Sequence, residues 1–140
     1  EQHGDELRSA FAEANIFLFL SYLEGMPRVM LEAGFSGLCP LAYDIQANLD
    51  LVPKDLFEQQ STNQNHNLQG VGGGLVKTGN VDAVHQRLLA LLRSSELIAA
   101  QAEIYQQHIR NNYSPEAFCT RMDSHMSELA PSTNKKVRVR

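Results

Sequence analysis

Ile16-Phe17-Leu18-Phe19-Leu20 opens a stretch that runs through the polar turn Ser21 to Gly25, Pro27, a segment reaching Phe35, the stop Ser36-Gly37 and a second apolar run around Leu38 to Tyr43. Five apolar residues without alternation suit a strand buried on both faces, which a parallel sheet covered by helices requires. Pro27 suits the first position of a helix, where its missing N–H costs nothing, and Ser36-Gly37 suits its end. Strand, helix and strand with short links are the signature of a doubly wound α/β unit.

The same pattern extends outward. Upstream, Asp5 can cap a helix whose apolar positions Leu7, Phe11 and Ala14 recur at helical spacing, with Asn15 as its stop. Downstream, residues 59 to 70 are rich in Gln, Asn, Ser and Thr, with Leu68 the one aliphatic residue, and predict a mobile loop. Gly70 to Gly74 then turn into a third short strand at about 74 to 76. A helix is expected from Asp82 with Val84, Leu88 and Leu91 on one face, and another through Leu97, Ile104 and Ile109. Ser114-Pro115-Glu116 places a cap, a proline and a first-turn acid in order, opening a last long helix with Phe118, Met122, Met126 and Leu129 on one stripe. Three strands are few for an open parallel sheet, so the chain reads as a small sheet or as part of a larger domain.

Charge and composition narrow the function. At 43% hydrophobic and 20% charged, the 140 residues have the material for a core and are not disordered as a whole. The longest apolar run is far below the roughly 20 residues of a membrane span, and no basic-then-apolar segment opens the chain, so a cytoplasmic location or one peripheral to a membrane surface is expected. Lys135, Lys136, Arg138 and Arg140 leave 8 basic against 16 acidic residues over positions 1 to 130, a balance of −8. A body of that sign does not attract nucleic acid. Cys39 and Cys119 match no metal or redox spacing and read as buried small residues, and the five histidines show no ligand spacing, so no metal is expected. Gly70 to Gly74 do not make a dinucleotide fingerprint, because the next required glycine is Leu75 and the run precedes its strand.

Glu24 and Glu32 carry the chemistry. In Glu24-Gly25-Met26-Pro27-Arg28-Val29-Met30-Leu31-Glu32 the pair begins just past the carboxyl end of a strand, where open α/β sheets bind ligands. It then crosses a glycine and a proline into a helix whose free N–H groups face that crevice. A carboxylate accepts two hydroxyl donors at once, the geometry of a vicinal diol, so a polyhydroxylated, phosphorylated ligand is implied.

Ser21-Tyr22-Leu23-Glu24-Gly25-Met26-Pro27, with Glu32-Ala33 and Ser36-Gly37-Leu38-Cys39-Pro40, resembles the donor-binding segment of family 4 retaining glycosyltransferases of the GT-B architecture. Gly74-Leu75-Val76, Gly79 to Asp82 and Tyr113 to Glu116 extend the likeness over residues 5 to about 130. The resemblance implies a partial GT-B carboxy-terminal domain over residues 1 to 130, a Rossmann-like parallel sheet with helices on both faces that ends in a long helix. Residues 131 to 140 are expected to form a basic disordered tail. It implies a donor-sugar site at Glu24, Gly25, Met26, Pro27 and Arg28, and a nucleotide-ribose site at Glu32. The partners implied are a nucleoside diphosphate sugar donor and a saccharide or lipid-linked acceptor, with peripheral membrane contact of a longer parent and no cofactor.

The family's diphosphate-binding Arg and Lys and its amino-terminal acceptor domain have no counterpart in the chain. Asp44-Ile45-Gln46-Ala47-Asn48 likewise lacks the glycine of the family's ligand loop. No catalytic residue is therefore assigned, and the fragment is expected to be inactive alone. A non-catalytic nucleotide-sugar-binding or interaction fragment is the alternative.

Overall fold

The computed structural model describes residues 2 to 53, Leu56 and residues 74 to 129. In chain order these form α1 (Gln2–Glu13), β1 (Ile16–Phe19), α2 (Arg28–Phe35), β2 (Cys39–Tyr43), α3 (Gln46–Leu49), β3 (Gly74–Val76), α4 (Val81–Leu91), α5 (Ser95–Tyr113) and α6 (Pro115–Leu129). The expectations for residues 59 to 70 and 131 to 140 lie outside the described residues.

All three strands run parallel in one sheet ordered β1-β2-β3, with Ile16 opposite Cys39 and Leu41 opposite Gly74. Parallel neighbours need a crossover, and α2 supplies the one between β1 and β2. Because successive side chains alternate, the register sorts the strands' residues onto two faces. On one face Phe17, Phe19, Ala42 and Leu75 pack with Met30 of α2 and with Tyr105 and Ile109 of α5, closed by Leu51, Val52 and Leu56. On the other, Ile16, Cys39, Leu41, Tyr43 and Val76 pack with Val84, Leu88 and Leu91 of α4 and with Leu97, Ile98 and Ala102 of α5. Helices cover both faces, as a sheet of this kind requires, and α5 contributes to each. The Cys39 thiol donates to Gln101 Oε1 at 3.4 Å, and Tyr105 donates its hydroxyl to Met30 O at 2.8 Å, so α5 is fixed to both the sheet and α2.

Two local devices set α2. Its carboxyl end closes with Leu38 N donating to Ala33 O and Gly37 N to Gly34 O, which satisfies carbonyls the helix would leave open. Gly37 sits at φ 77°, where a side chain would be strained. Gly34 faces α5 so closely that an added Cβ would lie 2.5 Å from Ile109 Cγ1.

Several expectations shift. Asp5 lies in the first turn of α1 as a dipole partner and does not cap it, because the helix begins earlier. Pro27 is the residue before α2, not its first, and its carbonyl accepts from Met30 N. β1 is an edge strand, not one buried on both faces: Leu18 is 45% exposed, whereas all five residues of β2 are buried. Cys119 is exposed on α6, and only Cys39 fits the buried reading. The apolar stripe of α6 also faces solvent, because no other element among the described residues lies over it.

Candidate functional site

Loops from the carboxyl ends of the three strands meet on one side of the sheet. After β1, Leu20 to Pro27 carry the chain to α2, with Ser21 Oγ donating to Leu23 O at 3.3 Å. After β2, the buried Asn48 donates to Tyr43 O at 2.8 Å and fixes the turn into α3. After β3, Thr78 gives its N–H and its hydroxyl to Asp44 Oδ1, at 2.6 and 2.8 Å, so one carboxylate ties the β2 and β3 loops together. Asn80 then caps α4 by accepting from Ala83 N at 3.0 Å.

Tyr22 bridges the first loop to the other two. Its ring meets Tyr43 edge-on with centroids 5.3 Å apart, and its hydroxyl lies 3.9 Å from where a Cβ on Gly79 would stand. Burial, reinforced by the hydrogen bond and charge of Tyr22, pushes the Tyr43 phenol above its ordinary range. The β1 loop is thereby fixed at its base while its tip stays open: Leu23 is 87% and Met26 59% exposed.

The predicted residues divide by role. Pro27 is buried and sets the entry to α2, while Glu24, Gly25, Met26 and Arg28 are exposed around it. On α2, Met30, Ala33 and Gly34 face the body, and Arg28, Glu32 and Phe35 form the opposite stripe at i, i+4 and i+7. The structure thus leaves Glu24 within the link after β1 and Glu32 in the middle of α2, both open to solvent. Among the described residues, no hydrogen bond or ion pair holds the side chain of Glu24, Arg28 or Glu32. At Gly25, neither a positive φ nor a neighbour within 4 Å of an added Cβ makes glycine necessary to the fold.

Sequence reasoning missed the second half of this side. An open cavity of about 440 Å³ lies at the ends of β2 and β3, lined by Asp44, Leu49, Lys77, Asn80 and Arg87 among others. Arg87 donates from Nη1 to Leu75 O at 2.7 Å, and burial lowers its pKa from the usual guanidinium range. Net charge hid these residues, because a sum over 130 positions does not say where two cations meet. Lys77 directly after Gly74-Leu75-Val76 was the available signal, since residues at that place border the crevice.

Among the described residues, no group of three or more His, Cys, Asp or Glu side chains is placed to hold a metal ion, and no helix is long and apolar enough to cross a membrane. Comparison with family models, curated proteins and solved structures finds no match.

Proposed function

We propose that this chain is part of the donor-binding half of a retaining glycosyltransferase of GT-B architecture, acting at the cytoplasmic side or at a membrane surface. The reaction would move a hexosyl unit from a nucleoside diphosphate sugar to a saccharide or lipid-linked acceptor. The observation that carries the reading is the pair Glu24 and Glu32: two open carboxylates without a protein partner among the described residues, one in the link that leaves a strand's carboxyl end and one in the helix that this link enters. A ligand rich in hydroxyls gives each of them two donors. Gly25 supports the same reading, since close approach of a ligand is a demand that the packing of the fold does not make there.

In this assignment Glu24 faces the donor sugar, Glu32 holds the ribose diol, and the N–H groups at the start of α2 meet the sugar or diphosphate. The open edge of β1 is where the sheet of a complete domain would continue. The 140 residues alone are expected to bind nucleotide sugars weakly and to transfer nothing, because holding donor and acceptor together requires both halves of such an enzyme. A binding fragment that has lost turnover predicts the same of these 140 residues; the two readings differ in whether a longer parent continues upstream into a complete domain pair.

The test is a titration of the ¹⁵N-labelled chain with uridine and guanosine diphosphate sugars. Shifts confined to residues 21 to 32 that disappear in Glu32→Gln support the reading. No shift there with any donor, or the same shifts in Glu32→Gln, would remove it. In a longer active parent, Glu32→Gln should weaken donor binding ten- to a hundredfold, roughly 1.5 to 3 kcal/mol for a charge-assisted hydrogen bond. Glu24→Gln should lower kcat more than it raises the donor KM.

A further inference from the structure

The cavity of about 440 Å³ at the ends of β2 and β3 shares no lining residue with the loop of Glu24 or with Glu32, and its walls have a chemistry of their own. Asn80, Ala83 and Arg87 reach it from one stripe of α4 and the cap before it, at i, i+3 and i+7. Lys77 enters from the position after β3, and Asp44 and Leu49 close the side toward β2 and α3. The volume falls within the roughly 300 to 1,000 Å³ of small-molecule pockets, far above the share of about 30 Å³ that one water takes in the liquid. A bare ion would leave most of it unfilled.

Among the described lining residues, two cations face one acid. Lys77 is exposed, and no hydrogen bond or ion pair holds its side chain among the described residues. Arg87 is half-buried, and the bond from Nη1 to Leu75 O at 2.7 Å fixes where its charge stands. Asp44 already accepts the N–H and the hydroxyl of Thr78 on Oδ1, at 2.6 and 2.8 Å, which offsets part of its charge, while its second oxygen keeps the capacity to accept. The first turn of α4 adds the positive end of an eleven-residue helix. Asp82, the acid of that turn, lies about 100° or more around the helix from the three residues that face the cavity. In a chain that sums to −8 over residues 1 to 130, the cavity is a local reversal of sign.

We propose that this cavity binds a small organic phosphate monoester, with Lys77 and Arg87 on the phosphate and Asp44 and Asn80 on hydroxyls of the organic part. Such an ester carries roughly two negative charges at pH 7, which two cations match, and a monocarboxylate carries half of that. Asn80 gives its Oδ1 to Ala83 N, and no described residue takes its amide N–H groups. Leu49 and Ala83 supply apolar wall for the carbon chain. This inference does not depend on the sugar-donor reading, which is carried by residues 21 to 32.

The test is a titration of the ¹⁵N-labelled 140-residue chain with sorbitol 6-phosphate, inorganic phosphate, sorbitol and citrate at constant ionic strength. Sorbitol 6-phosphate should shift the amides of Asp44 and of residues 77 to 87, with a Kd on the order of 1 mM or tighter. Inorganic phosphate should bind there about tenfold more weakly, since it lacks the hydroxyl contacts, and sorbitol should leave these amides unmoved. Lys77→Gln should weaken the ester about tenfold, as for one charge-assisted hydrogen bond, with the thermal melt unchanged because the side chain is exposed. Absence of shifts at these amides, equal binding by Lys77→Gln, or sorbitol or inorganic phosphate binding as tightly as the ester would overturn the proposal. Tighter binding of citrate would make this a carboxylate site and overturn it equally. Shifts confined to residues 21 to 32 would put the phosphate at the β1 loop, which removes this proposal and leaves the sugar-donor reading to its own test with Glu32→Gln.

Discussion

β1 and β2 invert what composition suggests. β1 is Ile-Phe-Leu-Phe, four large apolar residues, and none of them is fully buried. β2 is Cys-Pro-Leu-Ala-Tyr, with smaller and more polar residues, and all five are buried. The difference lies in neighbours. β2 has a strand on either side and helices on both faces, whereas β1 pairs on one side only among the described residues, and its Leu18 lies beyond the helices that cover Leu41 opposite it. Pro40 shows how tightly position governs. Cys39 N donates to Asn15 O on the β1 side and Asp44 N to Val76 O on the β3 side, so the alternating pattern turns Pro40's missing N–H toward β3. Among the described residues the first register pair with β3 is Leu41 and Gly74, one residue later, so no described rung of the ladder needs a donor from Pro40. Apolar character that β1 has in excess of its cover is surface that a continued sheet would use.

The contrast can be broken most directly by truncation. Leu41→Ala in β2 should cost about 2 to 5 kcal/mol, the range for a buried leucine, while Leu18→Ala in β1 should cost under about 1, as for a partly exposed one. Urea unfolding followed by circular dichroism measures both. Equal costs would mean that β1 is covered in solution and that its edge is not open. Next in size is Gly34→Ala, which forces a methyl into Ile109 and should cost about 1 to 3 kcal/mol through overpacking, whereas Gly25→Ala, in open space, should leave the urea midpoint unchanged. Tyr105→Phe removes the hydroxyl from Met30 O and should cost about 1 kcal/mol.

The smallest effect belongs to the two thiols. Burial pushes the Cys39 thiol up from 9.0 to about 12, and Cys119 is exposed. A disulfide reagent at pH 8 should therefore label one thiol per native chain and both in denaturant. Because the folded state raises this pKa, the stability it contributes is fully present below about pH 9 and is lost as pH rises toward 12. Cys39→Ala should make that alkaline slope shallower.

The sequence made the strands and their direction legible because apolar runs, a proline, a glycine stop and a Ser-Pro-Glu start are local signals. The edge position of β1 was not legible, since Ile16 to Leu20 read the same whether one neighbour or two are present. What covers the α6 stripe was not legible for the same reason: spacing shows which residues share a side, not what lies over it. At the site, Glu24 and Glu32 were visible through their place after a strand and in a helix. The meeting of Asp44 with Thr78, 34 positions away, and of Lys77 with Arg87 across a cavity depended on how two loops fold toward each other.

The hydroxyl of Tyr105 reaches Met30, 75 positions earlier, and Gln106 reaches Phe35 across 71. During synthesis at roughly 5 to 20 residues per second, that interval is about 4 to 15 seconds. Throughout it Phe17, Phe19 and Met30 have emerged without the helix that covers them, so the nascent chain passes through a period in which its strands are exposed to chaperones and to one another. Completion of the core is thus timed by the arrival of a single late helix on the ribosome.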